Sequence, residues 1–217
     1  MGALTAARPK PLIEVAGVTL LDRARALAHE SGHSPVVVNT HYKAEAMARH
    51  LAGTDVRLSP EAPRILDTGG GLRHALPLLG DGPVATLNPD CVWSGPNPLR
   101  VLEGAWDPAR MGALLLVVPL GRSHAHEGTG DFDLADDGRL RRKGPYVYTG
   151  AQILDPAGLG EIADEVFSLN LLWNRLATER RLFGVVYPGR WCDVGHPAGI
   201  QAAEALLGQG PGGEADV

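Results

Sequence analysis

Apolar residues recur along this chain with two spacings, and the alternation between them lays out an ordered series of elements. Thr19-Leu-Leu-Asp22 has the form of a capping box, opening a helix that runs through Arg23–Glu30 and stops at Gly32. Pro35-Val-Val-Val-Asn39 is a short β-branched run of the kind that forms a buried strand. Lys43–Leu51 follows a helical period, with Ala46, Met47, His50 and Leu51 on one face and Gly53 at its end. Asp55–Ser59 alternates as a strand. Thr68-Gly-Gly-Gly71 reads as a glycine loop leading into a helix over Leu72–Leu79. Pro83–Asn88 is a strand stopped by Pro89-Asp90, and Ala113–Pro119 is an unbroken apolar run. Strands and helices in this order predict an α/β fold, with a mostly parallel, Rossmann-like sheet flanked by helices.

The second half has a different pattern. Asp131–Leu134 and Arg139–Arg142 flank Asp136-Asp137-Gly138, the signature of a hairpin. Tyr146–Leu154 is a longer strand, Ser168 caps a helix through Glu179, and Leu182–Tyr187 and Trp191–Val194 are short strands. Pro197–Leu207 forms a final helix with Pro in its first turn. These pieces predict a small antiparallel lobe beside the main sheet. One domain spans residues 1–208, and the Gly/Pro/acidic tail 209–217 is expected to be disordered.

Composition narrows the function. Twenty Lys+Arg against 25 Asp+Glu leave a net charge of −5, with no basic run, which excludes general nucleic-acid binding. The longest apolar stretch, Ala113–Pro119, is too short to span a bilayer, and the first ten residues lack a signal-peptide core. Two cysteines are too few for a disulfide framework, so a cytoplasmic location is expected.

In open α/β sheets, ligands gather at the carboxyl ends of the strands. Asn39, Asn88-Pro89-Asp90 and the glycine loop fall there. Asp90 is either a turn residue or a carboxylate of a metal or phosphate site. Asp193 lies inside the aromatic, apolar Trp191-Cys-Asp-Val-Gly195, where a carboxylate is costly without a cation. Two acids converging on one site suit Mg²⁺, which takes one or two carboxylates plus phosphate oxygens. Cys91 and Cys192 each neighbour one of these acids, so strand alternation turns both thiols away from such an ion. Lys10, stiffened by Pro9 and Pro11, either aims its charge at a phosphate or is a solvated surface residue. The glycine loop is open to two readings, close approach to a ligand or a plain tight turn. His124-Ala-His126 has no partner at zinc spacing, and His196 reads as a surface residue.

In order, Arg8-Pro-Lys-Pro-Leu-Ile-Glu-Val-Ala-Gly17, Val36-Val-Val-Asn39, Leu66-Asp-Thr-Gly-Gly-Gly71, Leu87-Asn-Pro-Asp90, Gly130-Asp-Phe132, Tyr148-Thr-Gly150 and Trp191-Cys-Asp-Val-Gly195 resemble the sugar-1-phosphate nucleotidyltransferase family. The likeness is greatest to its N-acetylmuramate-1-phosphate uridylyltransferase and mannose-1-phosphate guanylyltransferase branches. It implies transfer of a nucleotidyl group from UTP or GTP to a sugar 1-phosphate, releasing pyrophosphate, with Mg²⁺ as cofactor. By that resemblance, Lys10 contacts the triphosphate. Asp67, Thr68, Gly69 and Gly70, with Glu61 before them, hold the nucleobase. Asn88 touches the sugar phosphate, Asp90 and Asp193 bind Mg²⁺, and Asp131, Thr149 and Gly150 line the sugar pocket.

The sequence departs from the family at two places. The family opens with an apolar strand and a glycine-rich triphosphate loop, and Met1-Gly-Ala-Leu-Thr5 corresponds to the segment just after that loop. The expectation is therefore that the sequence as given lacks its true N-terminus; were Met1 the real start, the missing strand and loop would imply weak NTP binding and little turnover. Pro89 also replaces a small residue. A non-catalytic nucleotide-sugar-binding regulatory homologue is the alternative, disfavoured because Lys10, both acids and the glycine loop are all present. A dehydrogenase lacks its Gly-x-Gly-x-x-Gly turn.

Overall fold

The computed structural model describes residues 8–208, so the expectation for the tail lies outside it. A 3₁₀ turn over Lys10–Leu12 leads into a hairpin of β1 (Glu14–Val15) and β2 (Val18–Thr19), then helix α1 (Leu20–Glu30). Thr19 caps α1: its Oγ1 accepts from the Asp22 backbone N–H at 3.0 Å and donates to Asp22 Oδ2 at 2.6 Å. One side chain thus satisfies an otherwise orphaned helix donor.

Next come β3 (Val37–Thr40), α2 (Ala44–His50) and β4 (Arg57–Pro60), with β3 and β4 parallel. Helix α3 (Asp67–Leu79) connects β4 to β5 (Val84–Leu87). The glycines expected in a loop lie inside the first turn of α3. Strand β6 (Cys91–Ser94) and helix α4 (Pro98–Ala105) follow; neither was expected from the apolar pattern. Then come β7 (Ala113–Pro119), β8 (Ser123–His124), β9 (Phe132–Leu134), β10 (Leu140–Arg142) and β11 (Tyr146–Leu154). Helix α5 (Asn170–Thr178), β12 (Leu182–Val186), β13 (Arg190–Asp193) and α6 (Pro197–Gly208) complete the order.

The central sheet runs β10-β9-β11-β7-β12, with β5 added to the far half of β11. Its α/β layering is as expected, but its pairing is mixed. Strand β12 is parallel to β7, whereas β11 is antiparallel to β5, β7 and β9. At nine residues, β11 is long enough to pair with β9 near one end and with β5 near the other.

The alternation of β7 feeds two cores. Leu114, Leu116 and Val118 pack with Leu99 and Leu102 of α4 and with Trp93, Tyr187 and Trp191. Ala113, Leu115 and Val117 pack with Leu172, Trp173 and Leu176 of α5 and with Phe132. Burial on both faces explains why β7 is apolar without a break. Each fully buried leucine contributes roughly 1.5–3 kcal/mol against exposure. By contrast, β3 was expected to be buried but is only half so, because it belongs to a separate two-stranded sheet. A third sheet, β6-β13-β8, carries Asp193 at the end of β13, and Asp90 immediately precedes β6.

Candidate functional site

Pairing of β6 with β13 brings Asp90 and Asp193 together. Asp193 lies opposite Cys91 in that antiparallel ladder, and the Val194 amide donates to the Asp90 carbonyl at 2.9 Å. The two acids are therefore diagonal neighbours on adjacent strands, despite their distance in sequence. Lys10 Nζ sits 2.5 Å from Asp90 Oδ2. Asp193 Oδ1 accepts from the Gly195 amide at 2.6 Å, and its Oδ2 faces His126 Nδ1 at 3.5 Å. All four side chains are partly exposed, so the cluster opens to solvent.

The cysteines report on the same charges. Burial, then the charges of Asp90 and Asp193, push the Cys91 thiol well above its ordinary range. Burial and Asp193 push Cys192 up to about 11. Burial and the neighbouring carboxylates thus favour the protonated form of both thiols. Strand alternation was expected to turn both away from an ion held by the acids, which the structure does not test. Cys91 Sγ lies 3.9 Å from Asp90 Oδ1, because Asp90 precedes the regular part of β6.

Two carboxylates are the oxygen donors that a hard cation takes. Among the described residues, no three His, Cys, Asp or Glu side chains cluster as a metal site. The two carboxylates alone could supply only part of the shell of an ion such as Mg²⁺, which takes one or two carboxylates plus water and phosphate oxygens.

Asn88 and the proposed sugar-pocket residues meet at a break in β11. Its register with β7 shifts between Tyr148 and Gln152, and Gly150 sits there at φ +86°. The Asn88 amide donates to the Gly150 carbonyl at 2.7 Å. A Cβ on Gly150 would lie 2.8 Å from Asn88 Cβ, so the approach demands glycine. Thr149 is fully buried; its hydroxyl donates to the Leu116 carbonyl, and its own carbonyl accepts from Trp191 Nε1, each at 2.9 Å. Both polar groups are occupied internally, so Thr149 anchors Trp191 instead of presenting a hydroxyl to open space. Asp131 Oδ2 accepts from the Tyr148 amide at 2.9 Å, tying the hairpin lobe to β11.

The expected base-binding segment is more closed than its glycines suggest. The Gly69 and Gly70 amides both donate to the Phe167 carbonyl, at 2.9 and 3.0 Å. A Cβ on Gly70 would collide with the Glu165 carbonyl. These glycines admit the chain at 165–167, a tertiary neighbour that local pattern does not reveal. Glu61 is buried; its Oε2 accepts from the Leu66 amide at 2.6 Å and its Oε1 from Asn39 Nδ2 at 3.0 Å. It holds the approach to α3 in place. Asp67, at φ +62°, and Thr68 remain exposed at the helix start.

Sequence reasoning weighed His126 only as a zinc ligand and missed its place beside Asp193. It stands against Trp191 with ring centroids 6.0 Å apart, and the carbonyl of Ala125 before it lies 2.7 Å from His196 Nε2. The two histidines steady the loop after β8 over Asp193. Spacing to Asp193 offered no clue, because the contact depends on how β8 and β13 pair.

The model of the MobA-like NTP transferase domain matches residues 1–207. This chain belongs to that family. As a member it is a nucleotidyltransferase. It is 38% identical over 223 aligned residues to the N-acetylmuramate alpha-1-phosphate uridylyltransferase of Caulobacter vibrioides, covering 96% of this chain and 92% of the relative. The enzyme of the same name from Neisseria meningitidis is 28% identical, covering 96% and 93%. The fold recurs in a putative glucose-1-phosphate thymidylyltransferase from Bacillus anthracis, with a TM-score of 0.80, 14% identity and coverage of 99% of this chain and 92% of that one. HddC from Yersinia pseudotuberculosis, complexed with GMP-PN, superposes with a TM-score of 0.72 at 17% identity, covering 92% and 90%. Among the described residues, no helix of this family member is long and apolar enough to cross a membrane.

Proposed function

We propose that this nucleotidyltransferase transfers uridylyl from UTP to a sugar 1-phosphate, N-acetylmuramate α-1-phosphate being the first candidate, to give a UDP-sugar and pyrophosphate. The observation that carries the reading is the Lys10–Asp90–Asp193 cluster in a chain 38% identical to a uridylyltransferase of that name. An oxygen of the sugar phosphate attacks the α-phosphorus in line, and the bond to pyrophosphate breaks. Two polyanions must meet, so positioning and charge neutralisation dominate the barrier. Lys10 exchanges its carboxylate partner for a phosphate oxygen. Asn88, fixed by Gly150, orients the sugar phosphate beside Asp90. Mg²⁺ held by Asp90 and Asp193 would neutralise phosphate charge and hold both substrates on one template. Asp67 and Thr68 offer the exposed polar groups for the base, and Asp131 does so for the sugar. Two buried, unpaired thiols agree with a reducing, cytoplasmic setting. The sugar chemistry agrees with a place in cell-wall precursor metabolism.

Pyrophosphate release, measured with Mg²⁺, UTP or GTP and a panel of sugar 1-phosphates, tests this. UTP with the muramate substrate is expected to lead. Asp90→Asn and Asp193→Asn should each lower kcat by about 10²–10³-fold, the usual cost of one preorganised electrostatic group. Full activity in either variant removes that acid from the metal site. Saturable nucleotide-sugar binding with no pyrophosphate from any pair would instead identify the regulatory homologue.

A further inference from the structure

Arg142, the last residue of β10, is a half-buried guanidinium held in place by neutral groups. Its Nε donates to Asn174 Oδ1 at 2.8 Å, and its Nη2 donates to Asn170 Oδ1 at 2.7 Å and to the Asn170 carbonyl at 3.3 Å. The guanidinium lies over the rings of Phe132 and Trp173, 4.8 and 5.5 Å from their centroids. Two amides and two ring faces thus set its direction without neutralising it. Arg25 and Arg139, which are also partly buried, each pair with an aspartate instead. Burial lowers the affinity of Arg142 for its proton, the nearby Asp131 charge raises it, and the group remains a cation. Asp131 does not close an ion pair with it, because its Oδ2 is committed to the Tyr148 amide. Among the described residues, Arg142 Nη1 has no partner, and it is not enclosed. The result is an oriented cation with one open donor group.

Its surroundings relate it to the residues proposed for the substrates. Polar side chains form a line from Thr68 to Arg142. Thr68 Oγ1 lies 3.5 Å from Ser168 Oγ, which accepts from Asn170 Nδ2 at 3.0 Å, and Asn170 Oδ1 accepts from Arg142. On the other side, Asp131 directly precedes Phe132, the cross-strand partner of Arg142. Phe132 also lies opposite Tyr146, and Gly150, which fixes Asn88, is four residues farther along β11. That interval is roughly 13 Å at ordinary strand rise. A sugar with its phosphate at Asn88 and its ring at Asp131 therefore has its far side at the Arg142 end of β11. We infer that Arg142 reads a carboxylate carried by the sugar and so selects an acidic sugar 1-phosphate over a neutral one. N-acetylmuramate α-1-phosphate has such a group, a lactyl carboxylate ether-linked to its ring. A guanidinium with an open nitrogen donates a charge-assisted hydrogen bond to it. The neutral Asn170 and Asn174 orient that donor without competing for its charge. This inference rests on the sugar-phosphate reading above and adds the residue that sets its specificity.

Steady-state pyrophosphate release from UTP tests this with three acceptors: N-acetylmuramate α-1-phosphate, the same compound with its carboxylate converted to an amide, and N-acetylglucosamine α-1-phosphate, which lacks the lactyl arm. The amide keeps the shape and removes the charge. The parent is expected to favour the carboxylate over the amide by about tenfold to a hundredfold in kcat/KM, the value of a hydrogen bond to a charged group. The difference should lie in KM, because the arm is remote from the reacting phosphorus. Arg142→Gln should bring the carboxylate acceptor down to the level of the amide, and Arg142→Lys, which retains the charge, should keep part of the preference. Asn174→Ala leaves Arg142 present but frees its Nε, and should weaken the preference through KM. Melting temperatures of all variants separate these effects from loss of fold. A preference that survives both Arg142→Gln and Asn174→Ala overturns the inference. So does a loss shared equally by all three acceptors, which would mark Arg142 as a tie between the hairpin and α5. A parent that turns over sugar 1-phosphates without regard to the carboxylate also overturns it, while nucleotidyl transfer stands. A parent inert with every sugar 1-phosphate overturns the sugar-phosphate reading itself, and this inference with it.

Discussion

Gly150 shows how one residue can set the geometry of a whole site. Its left-handed backbone lets β11 break register, and its missing side chain lets Asn88 approach beside Cys91 and Asp90. Gly150→Ala should cost about 1–3 kcal/mol, as expected for a side chain forced into that region of backbone space. Thermal melting would measure it, and pyrophosphate release should fall further than stability alone explains, because Asn88 is displaced. Single residues were also the least legible level in the sequence. Asp90 and Asp193 stood out as candidates because acids at a strand end or within an apolar strand call for a partner, and the fold places them on neighbouring strands. Glu61 and Thr149 were not, because whether a polar side chain faces solvent or backbone depends on strands distant in sequence. The contact of His126 with Asp193 was invisible for the same reason.

Elements with purely local causes were read correctly. Thr19 caps α1 from three residues away, and Asp136–Gly138 turns the β9–β10 hairpin. Thr19→Ala should therefore destabilise by about 1 kcal/mol in chemical unfolding. The same cap creates an acid limit. Burial raises the Asp22 carboxyl, but hydrogen bonds from Thr19 and His50, the His50 charge and Arg25 outweigh it and hold it below 3.8. A carboxyl lowered by folding adds stability above its ordinary value and loses it as pH falls through the folded-state value. Stability measured below about pH 4 should consequently fall less steeply in Asp22→Asn than in the parent. The glycine run of α3 was misread because its cause is tertiary: residues 165–167 lie against it. Strand β6 is four residues long and gains its meaning only from pairing with β13.

The molecule is built around β7, whose two faces feed separate cores. Leu115→Ala, at a fully buried position, should cost about 2–5 kcal/mol in denaturant titration while leaving the substrate KM unchanged. Layering at this scale was legible, since an unbroken apolar run between helices can only lie inside a covered sheet. The mixed pairing was not, because strand direction depends on where β11 crosses. Trp191 joins the two halves: its indole N–H holds the carbonyl beside Gly150, its ring faces His126, and Asp193 is two residues along. Light emitted by that indole should therefore change in wavelength or intensity when a nucleotide and a divalent cation enter, and Trp191→Phe should abolish the response. The enzyme carries its own optical gauge of occupancy, readable without a label or a coupled assay.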